Sequence, residues 1–183
     1  MEITLQNNLI RGQKIVIGKI DRDNPLKIEI VHDILGGNMD LDFYVFPVKD
    51  NILEEKNMVY FNKPSSEDKN IILREDYNKN KSVKSLFVNL KDLDKDYDKI
   101  ILALSYYKEV LDINELDLKV EAIERILKSN VFSIEEKLNL ENETFVIGEI
   151  YKYKDQWKFN TVTYETKEFV VEAVRNLNNI KIM

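Results

Sequence analysis

The chain of 183 residues contains no cysteine, one histidine, one tryptophan, five glycines and three prolines. Without cysteine there are no disulfides, no thiolate metal sites and no cysteine nucleophile. A zinc centre of common type cannot be assembled from a single histidine either. Gly-x-Gly-x-x-Gly, Gly-x-x-x-x-Gly-Lys and Gly-x-Ser-x-Gly are all absent, so the familiar phosphate cradles and the nucleophile elbow are excluded. No apolar run approaches the roughly 20 residues of a membrane span. The opening Met1-Glu2-Ile3-Thr4-Leu5 has neither a basic region nor an apolar stretch of signal-peptide type, so a soluble, cytoplasmic protein is expected.

What is present is a large apolar fraction, 44%, mixed with 33 acids and 27 bases for a net charge of −6. That composition can fill a core, keeps the chain in solution, and disfavours nonspecific binding to nucleic acid or anionic lipid. The length suits one domain over residues 1–183.

Much of the chain reads in period two, the spacing of half-buried strands. Strands are predicted over Gln13 to Ile20, Leu26 to Val31, Leu41 to Phe46, Met58 to Phe61, Ser85 to Leu90 and Lys99 to Tyr106. Others follow at Val131 to Ile134, Thr144 to Tyr153 and Gln156 to Thr163. Short strands without regular intervening helices predict an all-β fold, a two-sheet antiparallel β-sandwich. A C-terminal helix is expected over Thr166 to Asn178, with Phe169, Val170, Ala173, Val174 and Leu177 on one stripe that docks on the sandwich. Residues Ile113 to Lys128 also favour a helix by periodicity, through Leu116, Val120, Ile123 and Leu127. The alternation of Leu118, Val120 and Ala122 offers a strand instead.

Four ordered blocks carry a resemblance. Met39-Asp40-Leu41-Asp42-Phe43 follows Val31-His32-Asp33 and a short glycine-containing loop. Met58-Val59-Tyr60-Phe61-Asn62 comes next, then Asp98-Lys99-Ile100-Ile101. Last is Phe145-Val146-Ile147-Gly148-Glu149-Ile150-Tyr151-Lys152, shortly ahead of Trp157-Lys158-Phe159. Together they resemble the tellurium-resistance TerD-type stress proteins over roughly residues 3 to 177. The resemblance implies a β-sandwich, calcium binding, and a noncatalytic role in tellurite or stress resistance exercised with protein partners of a stress-response complex. It also places a strand where periodicity favours a helix, at Val120 to Leu127.

On a strand, Asp40 and Asp42 project from one face, while Leu41 and Phe43 point to the core. Two carboxylates so placed can share a hard cation that wants about 6 to 8 oxygens. Asp33 could join from the neighbouring loop, and Asp76 corresponds to the first acid of the family's acidic, glycine-rich loop. The four form the candidate metal set. The departure lies in that loop, which is shorter here, Arg74 to Lys84, has no glycine, and carries Lys79, Lys81 and Lys84. Lost glycines remove the positive-φ positions that wrap carbonyls around an ion. Ammonium groups repel calcium and can pair with the aspartates. The expectation is a degraded calcium site, with lysine standing in for metal. Two rivals remain open: a working calcium-dependent binding module, and a carbohydrate-binding or enzymatic sandwich. His32, which replaces the family's tryptophan, reads as a packing residue, and adjacent acid pairs read as solvated surface.

Overall fold

The computed structural model describes residues 8–20, 23, 25–33, 39–78, 80–93, 97–108 and 114–183. The Gly36-Gly37-Asn38 turn lies outside them.

The strands are β1 (Lys14–Lys19), β2 (Pro25–Asp33), β3 (Met39–Val48), β4 (Ile52–Leu53), β5 (Ile71–Asn78) and β6 (Lys81–Asn89). After the short helix α1 (Leu90–Leu93) come β7 (Lys99–Lys108), β8 (Glu115–Glu124), β9 (Ser129–Asn139), β10 (Thr144–Tyr153) and β11 (Gln156–Thr166). Helix α2 (Val170–Asn178) and β12 (Lys181–Ile182) end the chain. A first antiparallel sheet runs β1-β11-β10-β7-β3, and a second runs β5-β6-β2-β8-β9. The expected sandwich is present.

Burial explains which strands were easy to read. In β2, Leu26, Ile28 and Ile30 are fully buried, while Lys27 and Glu29 point outward and pair at 2.5 Å. Strand β7 buries every residue from Ile100 to Leu104 because both faces of the first sheet are covered. Its inner face joins the main core around Trp157, Phe132 and Phe159, with the last two rings stacked at 4.3 Å. Its outer face packs beneath α2, through Phe46, Ile101, Val146, Val170 and Val174. A sheet covered on both sides reads as a continuous apolar run.

Gly148 marks the tightest approach inside this sheet. A Cβ there would lie 2.5 Å from the Asn160 carbonyl oxygen and 2.5 Å from the Phe159 ring, beside the register shift between β10 and β11. Only glycine fits without displacement.

Four local expectations need correction. The helix favoured over Ile113 to Lys128 is instead strand β8, which buries Leu116, Leu118, Val120 and Ala122 in strict alternation. Hydrogen-bonding partners on both sides, β2 and β9, override good helix formers, and Leu127 of the expected stripe is 79% exposed. The Arg74 to Lys84 loop is the end of a β5–β6 hairpin, closed where Asn78 pairs with Lys81. Met58 to Phe61 is not a strand; Val59 makes one isolated bridge to Val45 and shields part of the β3 edge. Helix α2 starts later than Thr166, which belongs to β11, and of its expected stripe Phe169 and Leu177 stay exposed.

Candidate functional site

Register converts the hairpin into a site. Side chains two apart share a face. Ile71, Leu73, Glu75 and Tyr77 of β5 therefore share one face, with Ile71 buried in the main core, Leu73 half-buried, and Glu75 and Tyr77 exposed where the sheet edge opens to solvent. On β6 the inward series is Ser82, Lys84, Leu86 and Val88, all buried. Glu75 lies directly opposite Lys84. The sandwich interior thus receives a lysine, with a glutamate at its edge, where its other strands supply Ile30 and Val120 in the same cross-strand row.

Lys84 has only 8% of its side chain exposed, and its ammonium donates to Glu75 Oε1. The Tyr77 hydroxyl donates to the same oxygen at 2.9 Å. Burial works against ionisation of Glu75, but the Lys84 ammonium and the Tyr77 hydroxyl outweigh it and hold the carboxyl below its usual range. A buried ammonium demands such a partner, since an unpaired charge there would cost several kcal/mol, of order 3–5.

The pair lies in a cleft of about 130 Å³ between the β3 edge, which contributes Asp42 and Phe43, and the hairpin, with Phe61 and Pro64 along its rim. At the next level of the second sheet, His32 stands between Ser82 and Leu118. Its Nδ1 donates to the Asp33 carbonyl at 2.9 Å. Burial lowers the His32 pKa, and the nearby Lys84 charge lowers it further against the Asp33 hydrogen bond. The imidazole is therefore neutral at neutral pH.

A second polar cluster ties the two sheets together. Tyr106 of β7 donates to Glu165 at 3.0 Å and to the Asn139 carbonyl at 3.3 Å, and the Asn139 amide donates to the same Glu165 oxygen at 2.8 Å. Burial and then the Glu165 charge push the Tyr106 phenol above its ordinary pKa. The arrangement is a clip between β7, β9 and β11.

The four aspartates are placed as follows. Asp42 lies on β3 and lines the cleft. Asp40 pairs in register with Tyr107 two residues earlier on the same strand; its side chain lies outside the described part. Asp33 ends β2, is well exposed, and meets Lys81 at 3.7 Å. Asp76 is exposed on β5, on the face opposite Glu75 and Tyr77. The described residues thus bring Asp42 to the cleft and leave Asp33 and Asp76 elsewhere. Among them no group of three or more His, Asp or Glu side chains converges as a metal-holding set. Lys84 and Glu75 form the central pair that sequence reasoning missed. The signal was the phase of β6, since Leu86 and Val88 lie two and four residues beyond Lys84 and are plainly core residues.

No helix among the described residues is long and apolar enough to cross a membrane. Trp157 is completely buried, so it offers no stacking surface.

The TerD domain matches residues 4–175. No curated protein matches the chain. Among solved structures, the crystal structure of the "unknown function protein SAV2460" is similar, with a TM-score of 0.63 and 14% identity over 85% of this chain and 97% of that one. At that identity the likeness shows the fold alone.

Proposed function

The chain belongs to the TerD family of tellurium-resistance stress proteins, and we propose that it is a noncatalytic member that acts by binding other proteins, with a lysine–glutamate pair standing in place of a calcium site. The observation that carries the reading is the Lys84 ammonium, held inside the sandwich against Glu75 in the cleft that Asp42 lines. A fixed positive charge there does the electrostatic work of a cation for the surrounding carboxylates and repels a divalent ion. Calcium also lacks a complete donor set among the described side chains. Asp33 is engaged by Lys81, Asp76 faces away, and the hairpin has no glycine at which its backbone could wrap an ion. Tyr106 with Glu165 and Glu75 with Lys84 are satisfied by each other and brace the fold.

Thermal melting against calcium tests this. The expected result is a melting temperature that does not move at millimolar calcium. A calcium-dependent module would gain about 2.7 kcal/mol at a concentration 100 times its Kd. For a chain of this size that is a rise of several degrees, and such a rise would overturn the reading.

A further inference from the structure

The outer face of the second sheet carries a feature that neither the cleft nor the family accounts for. Ile72, Phe87, Lys27 and Ile123 form one cross-strand row, with the three apolar members half-buried. Three cations surround the Phe87 ring: Arg125 at 5.1 Å, Arg74 at 5.4 Å and Lys27 at 5.7 Å from its centroid. Two acids of this face are paired, Glu29 with Lys27 at 2.5 Å and Glu121 with Lys119 at 2.9 Å, and Asp76, two residues after Arg74, is exposed on the same face. Arg74 and Arg125 have no carboxylate partner among the described residues. In a chain with a net charge of −6, two unpaired guanidiniums on one aromatic ring are a local reversal of sign. Stacking on the ring fixes each guanidinium while leaving N–H groups free for bidentate contact with carboxylates.

Beside Arg125, the β8–β9 turn exposes Ile126 and Leu127, at 58% and 79%. These side chains are presented on an ordered backbone. The Glu124 carboxylate accepts from the Ile126 amide at 2.9 Å and the Leu127 amide at 2.5 Å. A small anion would use the arginines and leave this apolar tip idle. A peptide carrying both acids and apolar side chains would use both.

We propose that this face, centred on Phe87 with Arg74, Arg125, Ile126 and Leu127, docks an acidic segment of a partner protein that also carries apolar side chains. The proposal rests on the reading that the protein works through protein contacts, and it assigns that contact a place and a chemistry.

The test is fluorescence anisotropy with a labelled peptide of alternating glutamate and leucine, read beside a lysine–leucine peptide, anionic vesicles and a single-stranded oligonucleotide. The acidic peptide is expected to bind, more weakly at high salt, and to lose at least tenfold affinity with the double variant Arg74→Glu/Arg125→Glu. The pair Ile126→Ser/Leu127→Ser is expected to lose several-fold, while Lys14→Glu on the first sheet changes nothing. All these side chains are exposed, so unchanged melting temperatures certify folding. The docking face is overturned by equal binding of the basic peptide, by charge reversal without effect, or by vesicles or oligonucleotide binding as tightly. Self-association through this face, or no binding of the acidic peptide, overturns it as well. Calcium-indifferent melting reports separately on the reading above, so the two fail distinguishably.

Discussion

The inward face of the second sheet changes character along its length. One cross-strand row is Leu73, Leu86, Ile28, Ala122 and Phe132, wholly apolar and closed by the ring of Phe159. Two residues further along, the same strands supply Glu75, Lys84, Ile30, Val120 and Ile134. The next row is Tyr77, Ser82, His32, Leu118 and Glu136. The first row is stabilised by removal of apolar area from water and by close packing, both indifferent to pH and ions. The others replace that stabilisation with a charged pair and a neutral imidazole, whose worth depends on partner and pH. A sandwich of this kind gains its core at one end and its chemical individuality at the other.

Three changes would break or sharpen the contrast. The largest effect is expected from Phe132→Ala in the apolar row, which loses the stacked ring and leaves a cavity, at a cost of about 3–5 kcal/mol read from denaturant unfolding. A loss under 1 kcal/mol would mean that the site collapses freely and that the apolar end is not close-packed. Lys84→Met removes the ammonium and keeps the stem volume. Glu75 loses its main counter-charge but retains partial solvent and the Tyr77 hydroxyl, so the expected cost is smaller, about 1–3 kcal/mol. No loss, or a gain in stability, would show that the pair is replaceable by packing, as some buried ion pairs are.

The smallest effect concerns pH. The folded-state pKa of His32 is lowered from 6.5, so the folded protein binds fewer protons than the unfolded chain below that value. The associated stability is complete above pH 6.5 and falls as acidification proceeds toward the folded pKa. Glu75, also lowered from its ordinary 4.5, adds a separate loss further down, as pH falls below 4.5 toward its own folded pKa. In melting curves between neutral pH and pH 5, His32→Gln is expected to flatten the decline while the loss at lower pH persists. An unchanged slope in the variant would remove His32 from the account.

Much of the sandwich was legible in advance for a physical reason. Strands β2, β3, β10 and β11 have a face or a whole strand in the core, and burial selects apolar, β-branched and aromatic residues at fixed spacing. Edge strand β5 escaped because its inward series passes from Ile71 and Leu73 to Glu75 and Tyr77, so alternation of hydrophobicity dies out midway. Strand β8 was ambiguous because Leu116 and Val120 satisfy both periods, while Ile123, which extends the helical stripe, falls on the opposite face of the strand. Pairing with β2 and β9 resolved it. Of the site, the placement of Asp42 on a strand two residues after Asp40 was readable, and so was the approach of a lysine to Asp33. The phase of β6 signalled the inward place of Lys84. Its pairing with Glu75 and the cations around Phe87 were not readable, since residues 75 and 84, and likewise 27, 74, 87 and 125, become neighbours only through register across separate strands.

By itself the sequence determined the architecture: alternating apolar residues with few helix-length stripes leave little but two stacked sheets, and the absence of cysteine and of glycine-rich motifs removes thiolate metal sites and the familiar phosphate cradles. Only the tertiary structure decided where the charges go. Cross-strand register carries no signature in any one segment, yet a shift of one residue would turn Lys84 and Glu75 outward to solvent.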